Sequence, residues 1–268
     1  MAALSSKPNH VRSVSLPSRS HPISQRVDEE LSKLKTLEVS LAPAAVSNGL
    51  LCLEKLYKDI DDLFNLTRTL QALSQSLHAK WLDDLLDKSV RLLDLCGTIR
   101  DLVSQYKENI RDLQSSLRRR KGDSTTDDRV ETFTSSIKKI KRDAKRLVST
   151  LKQMDQETTV SVLLDADQDT VSVIRALNEA NAVCVSTFQM LLSFLCVPLL
   201  KPKPSKWSLL SRLINNERIA PLALEENMSL ETKLASFEVC LVSFEDGLES
   251  IFRWLIRCRS TLLNVFSC

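Results

Sequence analysis

Apolar residues recur along most of this chain at alternating steps of three and four. That spacing returns side chains to one face of an α-helix. The first run places Val27, Leu31, Leu34 and Leu41 on one stripe. Asp28, Glu29 and Glu30 fall in its expected first turn, where acids complement the helix dipole. Pro43 is expected to interrupt or kink this helix. The next run carries Leu53, Leu56, Ile60, Leu63, Thr67 and Leu70. A third passes through Leu85, Leu92, Cys96, Ile99, Val103, Tyr106, Ile110, Leu113 and Leu117. Over residues 81–119 it predicts a rod of about 58 Å. Gly97 lies inside that rod and is expected to mark a close helix approach.

Arg118, Arg119, Arg120 and Lys121, followed by Gly122, predict the end of the rod, because cations favour a helix C-terminus and glycine suits the left-handed exit. After a polar loop at 123–128, Val130, Phe133, Ile137, Ile140, Ala144, Leu147, Leu151 and Met154 resume the pattern. A short loop between two long amphipathic helices predicts an antiparallel hairpin. Residues 160–197 carry two apolar stripes, one through Ile174, Val185, Phe188, Leu192 and Leu195, the other through Leu177, Cys184 and Leu191. Apolar surface on two sides predicts a central helix. Pro198, Pro202 and Pro204 break the chain, and residues 207–216 read as a short helix. A last helix, from about Glu225 to Phe266, carries Leu234, Phe237, Leu241, Phe244, Leu248, Ile251, Leu255, Cys258 and Leu262.

The expected fold class is all-α: an antiparallel bundle of long amphipathic helices with coiled-coil-like packing. It occupies residues 26–268, with a break at 198–206. A coiled-coil dimer is the architectural rival. Composition agrees, since four glycines and eight prolines in 268 residues are too few for a protein of many hairpins. Residues 1–25 hold Pro8, Pro17, Pro22 and seven serines without an apolar period, and read as a disordered basic Ser/Pro-rich arm.

Charge narrows the partners. The whole chain carries +3. Lys7, Arg12, Arg19 and Arg26 contribute four positive charges to the first 26 residues, which hold no acid. The body is therefore near neutral and is no global polyanion binder, and no nucleic-acid partner is expected. The seven dispersed cysteines form no CxxC pair, which favours a reducing compartment. The localisation expected is cytoplasmic, with plastid and membrane association as the alternatives.

A resemblance now emerges from longer stretches. HVRSVSLPSRSHP near the start, GLLCLEKLYKDIDDLFNL at 49–66 and LLDLCGTIRDLVSQYKENIRDLQSSLRRR at 92–120 carry it. So do ALNEANAVCVSTFQMLLSFL at 176–195 and GLESIFRWLIRCRSTLLNVFS at 247–267. In that order they resemble the plant-specific BYPASS-like family, long catalogued as a domain of unknown function. The resemblance implies a plant protein connected with root and shoot development. It implies no catalytic residue.

The candidate sites are regulatory and electrostatic. Arg12, Ser15 and Pro17 form a phospho-docking pattern. Arg12 suits a basophilic kinase, and a phosphorylated Ser15 adds nearly two negative charges. Pro17 then turns the peptide out of a groove of the kind 14-3-3 proteins use. A transit peptide or a plain tail are the other readings. A second candidate is a basic patch of Arg118, Arg119, Arg120, Lys121, Lys138, Lys139, Lys141 and Arg142, suited to nuclear import or an anionic lipid surface. Lys138, Lys141, Arg142 and Lys145 also fit the polar face of an amphipathic helix, which is the plainer reading. Residues 180–200 carry no charge. They read as a bundle-core helix, with a membrane span as the rival.

Metal and nucleophile chemistry has little support. His10 and His21 lie in the arm and His78 stands alone, with no HExxH, ExxH pair or cysteine box, so neither metal nor cofactor is expected. Cys96 and Cys258 fall on apolar seams and read as small core residues. Asp61 and Asp62 read as solvated or capping acids. The function expected is that of a non-enzymatic adaptor, phospho-regulated through its arm. A membrane-associated protein using 118–146 or 180–200 is the alternative, and an enzyme with a pocket inside the bundle is the third class.

Overall fold

The computed structural model describes residues 21–37, 40–74, 80–119, 125–156, 168–197 and 229–267. These form seven helices and, among the described residues, no strand: α1 (Pro22–Thr36), α2 (Pro43–Phe64), α3 (Thr67–Ser74), α4 (Lys80–Arg119), α5 (Thr125–Gln156), α6 (Gln168–Leu195) and α7 (Leu230–Ser267). The expected all-α bundle is what the chain forms. Its arm through residue 20, the proline break at 198–206 and the short helix at 207–216 lie outside the described residues.

Pro43 interrupts the helical run, one of the two outcomes expected of it, while Pro22, expected in the arm, starts a helix. Pro22 and Pro43 both occupy first-turn positions of their helices, where a missing N–H costs nothing and a fixed φ suits the helix. Pro43 therefore starts α2 rather than kinking a longer helix. Pro22 starts α1 five residues before Val27, and His21 Nδ1 accepts from the Ile23 backbone N–H at 3.2 Å. Residues 22–25, assigned to the arm from sequence, are thus helical. The run expected to continue through Leu70 breaks after Phe64. There, Asn65 donates from both its backbone N–H and its side chain to the Asp61 carbonyl, at 3.2 and 2.9 Å.

The long helices alternate in direction along the chain, as interhelical pairs demonstrate. Arg26 on α1 meets Asp59 and Asp62 on α2 at 2.9 and 2.8 Å. Arg100 and Arg111 on α4 meet Glu249 and Glu238 on α7, each at 2.6 Å, and Lys107 pairs with Glu245 between them. As the α4 number rises, the α7 number falls, so these helices are antiparallel. By contrast, Ser47 faces Ser243 and Asp61 faces Arg257, so α2 and α7 run parallel. Four helices, α2, α7, α4 and α6, pack in that order around a common core, while α1 leans on α2 and α6, and α5 leans on α4 and α6.

Helix α6 touches α1, α2, α3, α4 and α5. That accounts for its two stripes: Ile174, Val185, Phe188, Leu192 and Leu195 are buried, and so are Leu177, Cys184 and Leu191. Burying each such side chain stabilises by about 1.5–3 kcal/mol before entropy is counted. At one end Phe194 stacks on Phe237 at 5.3 Å and meets Phe244 edge-on at 5.2 Å. Tyr106 tilts against Phe237 at 5.1 Å. One aromatic cluster thus ties α4, α6 and α7 together.

The glycine expected to mark close approach is not the one that does. A Cβ on Gly97 would meet nothing nearer than Phe252 Cε2 at 3.9 Å. One on Gly247 would stand 3.1 Å from Leu50 Cβ, and one on Gly49 would stand 2.9 Å from the Met190 methyl. The tight crossings are therefore α2 with α7 and α2 with α6.

Candidate functional site

Helix α5 is an outer helix, and its sequence divides cleanly. Phe133, Ile137, Ile140, Ala144 and Leu151 are buried against α4 and α6. On the opposite side, Ser135, Lys138, Arg142, Lys145, Ser149 and Lys152 follow one another at steps of three and four and are all exposed. Residues 132–154 contain seven cations, namely Lys138, Lys139, Lys141, Arg142, Lys145, Arg146 and Lys152, and a single acid, Asp143. Asp143 pairs with Arg146 at 3.2 Å, on the flank facing α4.

On the other flank, Lys138, Lys141, Arg142 and Lys145 make no ion pair with any described residue. They and Ser135 are the described residues that border an open hollow of about 550 Å³. Residues three and four apart on a helix have Cβ atoms about 5–6 Å from one another, so the four charges crowd a single spot. Lys141 is half-buried. Burial, reinforced by the charge of Lys145 and opposed by Cys196, holds its pKa below the usual lysine value. Cys196, just past the end of α6, directs its thiol at the Lys141 carbonyl at 3.9 Å, placing the end of α6 beside the hollow.

The neighbouring helix has the reverse character. The outward ridge of α4 runs Asp87, Arg91, Asp94, Thr98, Asp101, Gln105, Glu108 and Asp112, all exposed. An acidic stripe and a cationic stripe thus lie side by side on one hairpin.

The basic residues singled out from sequence do not form one patch. Thr98 and Gln105 share a groove with Thr150 and Asp143. That register puts Arg118 and Arg119 next to residues 129–130, about 12–20 Å along α5 from Lys138 and Arg142. Both arginines are exposed in the last turn of α4. Arg120 and Lys121, like Arg12, Ser15 and Pro17, lie outside the described residues. Lys138, Lys141 and Arg142 do come together, and Lys139, also exposed, is not among the residues bordering the hollow. Lys145 and Ser135 complete the group. Their three-four spacing from Lys138 and Arg142 was the signal for them.

Asp61 is the largest departure from expectation. It is not a solvated acid but is only 2% exposed, and it accepts from Arg257 Nε at 2.8 Å. Arg257 also lies over the Trp254 ring, 5.4 Å from its centroid. Three acids near the C-terminus of α2 oppose its dipole, and Arg26 and Arg257 offset them from two other helices.

The cysteines on the seams are core residues. Cys96 and Cys258 are buried and direct their thiols at the Leu248 and Tyr57 carbonyls, each at 3.6 Å. Burial pushes both thiols up to about 12. It pushes the Cys184 thiol and the Tyr57 and Tyr106 hydroxyls upward too. The six described cysteines are free. A void of about 30 Å³ beside Tyr57, Ser89, Asn181 and Arg259 is the size of one water molecule. Among the described residues, no group of three His, Cys, Asp or Glu side chains could hold a metal ion. No helix among them is long and apolar enough to cross a membrane, and residues 180–195 lie within α6.

No curated protein and no solved structure matches this chain. A family model does: the one described as Protein BPS1 matches residues 49–265, from the first turns of α2 almost to the end of α7. The matched stretch takes in every helix of the four-helix core together with the cationic α5, and the chain belongs to the BPS1 family.

Proposed function

We propose that this protein is a non-enzymatic interaction module, a rigid helical body that recruits acidic partners through the outward face of α5. The setting is the root and shoot development that the family resemblance implies. One observation carries the reading. Cations on the α4–α7 contact are matched by acids, whereas Lys138, Lys141, Arg142 and Lys145 are gathered on one outer helix and pair with no acid among the described residues. Unpaired like charges at i,i+3 and i,i+4 cost a few tenths of a kcal/mol per pair. A surface that sustains several such pairs is best accounted for by a partner that neutralises them.

The arm supplies regulation in this reading. Phosphorylation of Ser15, three residues after Arg12 and two before Pro17, creates a ligand for a 14-3-3 protein. Proximity labelling in plant cells tests both parts. Replacing Lys138, Arg142 and Lys145 by Glu should remove most labelled partners while circular dichroism stays unchanged. Ser15→Ala should remove 14-3-3 proteins alone. An unaltered partner set in the α5 variant would sink the adaptor reading.

A further inference from the structure

We infer that the outer face of the α4–α5 hairpin is a self-association surface. On it, a second copy of this chain lays its cationic α5 over the acidic ridge of α4, and its own acidic ridge over α5. The inference rests on the reading of α5 as the working surface and names an acidic partner for it. Both stripes lie on described helices. Asp94, Asp101, Glu108 and Asp112 are exposed on α4, and Lys138, Arg142, Lys145, Arg146 and Lys152 are exposed on α5. Each stripe has a seven-residue repeat, through Asp94, Asp101 and Glu108 on one helix and through Lys138, Lys145 and Lys152 on the other. Seven residues make about two turns, so charge of one sign returns about every 10.5 Å along each helix.

The hairpin register matches the two stripes level by level. A groove of about 440 Å³ runs between the helices, with Thr98, Asp101 and Gln105 on one wall and Asp143, Arg146 and Thr150 on the other. Thr98 thus stands level with Thr150, and Gln105 with Asp143. By the same count Asp94 stands level with Met154, Asp101 with Leu147, Glu108 with Ile140 and Asp112 with Ser136. A cation lies within two residues of each of these levels: Lys152, Arg146, Arg142 and Lys138 in turn. The displacement along the axis is about 3 Å or less, well within the reach of a lysine or arginine side chain.

Symmetry turns this match into a partner. A two-fold axis along the groove, parallel to the helices, brings a second copy face to face with the first. Heights along the axis are unchanged by that rotation, so each acid of one copy meets the cation that stands level with it on the other. Turning the second copy end over end would instead set acids on acids. Thr98, Gln105 and Thr150, which line the groove on the axis, can each donate and accept and meet their own copies without like-charge contact. The overlapped stretch, residues 132–154, is about 34 Å long, and two helices side by side are about 20 Å wide. Roughly 700 Å² per copy, or about 1,400 Å² in all, reaches the size of a standard specific interface. Nucleic acid or an anionic membrane laid on the same face would meet the α4 acids as well as the α5 cations. Among the described residues, Val90 is the only large exposed hydrophobic on this hairpin, and it lies beyond the overlap. The association is therefore electrostatic and weakens with salt.

Sedimentation equilibrium of the full chain tests the surface. The wild type should form a reversible dimer at about 50 mM salt, with a dissociation constant raised about tenfold or more at about 500 mM. Two double variants reverse one stripe each: Arg142→Glu with Lys145→Glu on α5, and Asp101→Lys with Glu108→Lys on α4. Either one alone sets like charges opposite one another and should weaken dimerisation by about tenfold or more. Mixed in equal amounts, the two should form a one-to-one heterodimer of near wild-type affinity, because the acids of each then face the cations of the other. Circular dichroism verifies that both variants remain helical, and rescue by mixing is a result that a misfolded variant cannot give. A monomeric wild type overturns the inference, as does a dimer that survives either reversal or a mixture of folded variants that stays monomeric. If the wild type is monomeric while α5 charge reversal still strips labelled partners in cells, self-association fails and the adaptor reading stands. If mixing restores the dimer while labelling survives α5 reversal, the adaptor reading fails and the self-association surface stands.

Discussion

Gly247 sits where α7 crosses Leu50, and an alanine methyl there would stand 3.1 Å from Leu50 Cβ. A Cβ is fixed to the backbone and cannot swing aside, so the helices themselves must part. The strain, typically 1–3 kcal/mol for overpacking, exceeds the propensity gain of about 1 kcal/mol. Gly247→Ala is therefore expected to destabilise by about 1 kcal/mol. Gly97→Ala adds only an ordinary contact with the Phe252 ring at 3.9 Å and should stabilise by up to about 1 kcal/mol. Urea unfolding of the two variants gives opposite signs if the packing is as described. The same scale decides the fate of Asp61. Arg257→Ala strands a carboxylate that is 2% exposed. Losing one partner of a fully buried pair costs about 3–5 kcal/mol. Because Arg257 itself is largely exposed, about 2 kcal/mol is expected, read as a fall in the urea midpoint. No sequence pattern announced this pair, since nothing in DIDD specifies which acid turns inward.

Along whole elements, the α4–α7 contact is a ladder of Arg100–Glu249, Lys107–Glu245 and Arg111–Glu238. Burial works to raise the pKa of Glu245, but the hydrogen bonds from Lys107 and Ser104 and the charges of Lys107 and Arg111 outweigh it and hold it below 4.5. Hydrogen bonds from Arg100 and Arg253 lower that of Glu249. A carboxyl whose folded pKa is depressed contributes stability above its unfolded pKa, and this is lost as pH falls through the folded value. Thermal melts should hold steady from neutral pH down to about pH 5 and fall below it. Glu245→Gln should lower stability at neutral pH and flatten the acid limb. The periodicity of α4 and α7 was legible in full, because both bury one continuous stripe. The partner choice of each charge was not, because it depends on the register between helices more than a hundred residues apart.

For the molecule as a whole, the buried titratable groups set an alkaline limit. Cys96 and Cys258 titrate near 12 in the fold against 9.0 in the open chain. Burial also raises Cys184, Tyr57 and Tyr106. Groups with raised folded pKa values contribute stability that is complete below the unfolded value and is lost as pH rises through the folded one. Urea midpoints should therefore be level up to about pH 9 and decline toward pH 12. Cys96→Ala should lessen that decline, because one thiol no longer resists ionisation. A midpoint independent of pH up to 11 would contradict the burial of these groups.

The sequence by itself determined the helices and much of the core. Their signal is local: a three-four spacing of apolar residues already states which face is buried, and a double stripe states that α6 lies in the middle. It also contained the cationic ridge of α5, since helical period alone brings Lys138, Arg142 and Lys145 to one side. Tertiary structure decided what depends on contact between distant segments. It made Gly247 rather than Gly97 the tight crossing, and sent Asp61 inward to Arg257. It paired the cations facing α7 with acids and left Lys138, Lys141, Arg142 and Lys145 on α5 with no acid partner among the described residues. Only packing tells a solvated charge from a paired one, because the two are identical along the chain and differ solely in what the other helices place beside them.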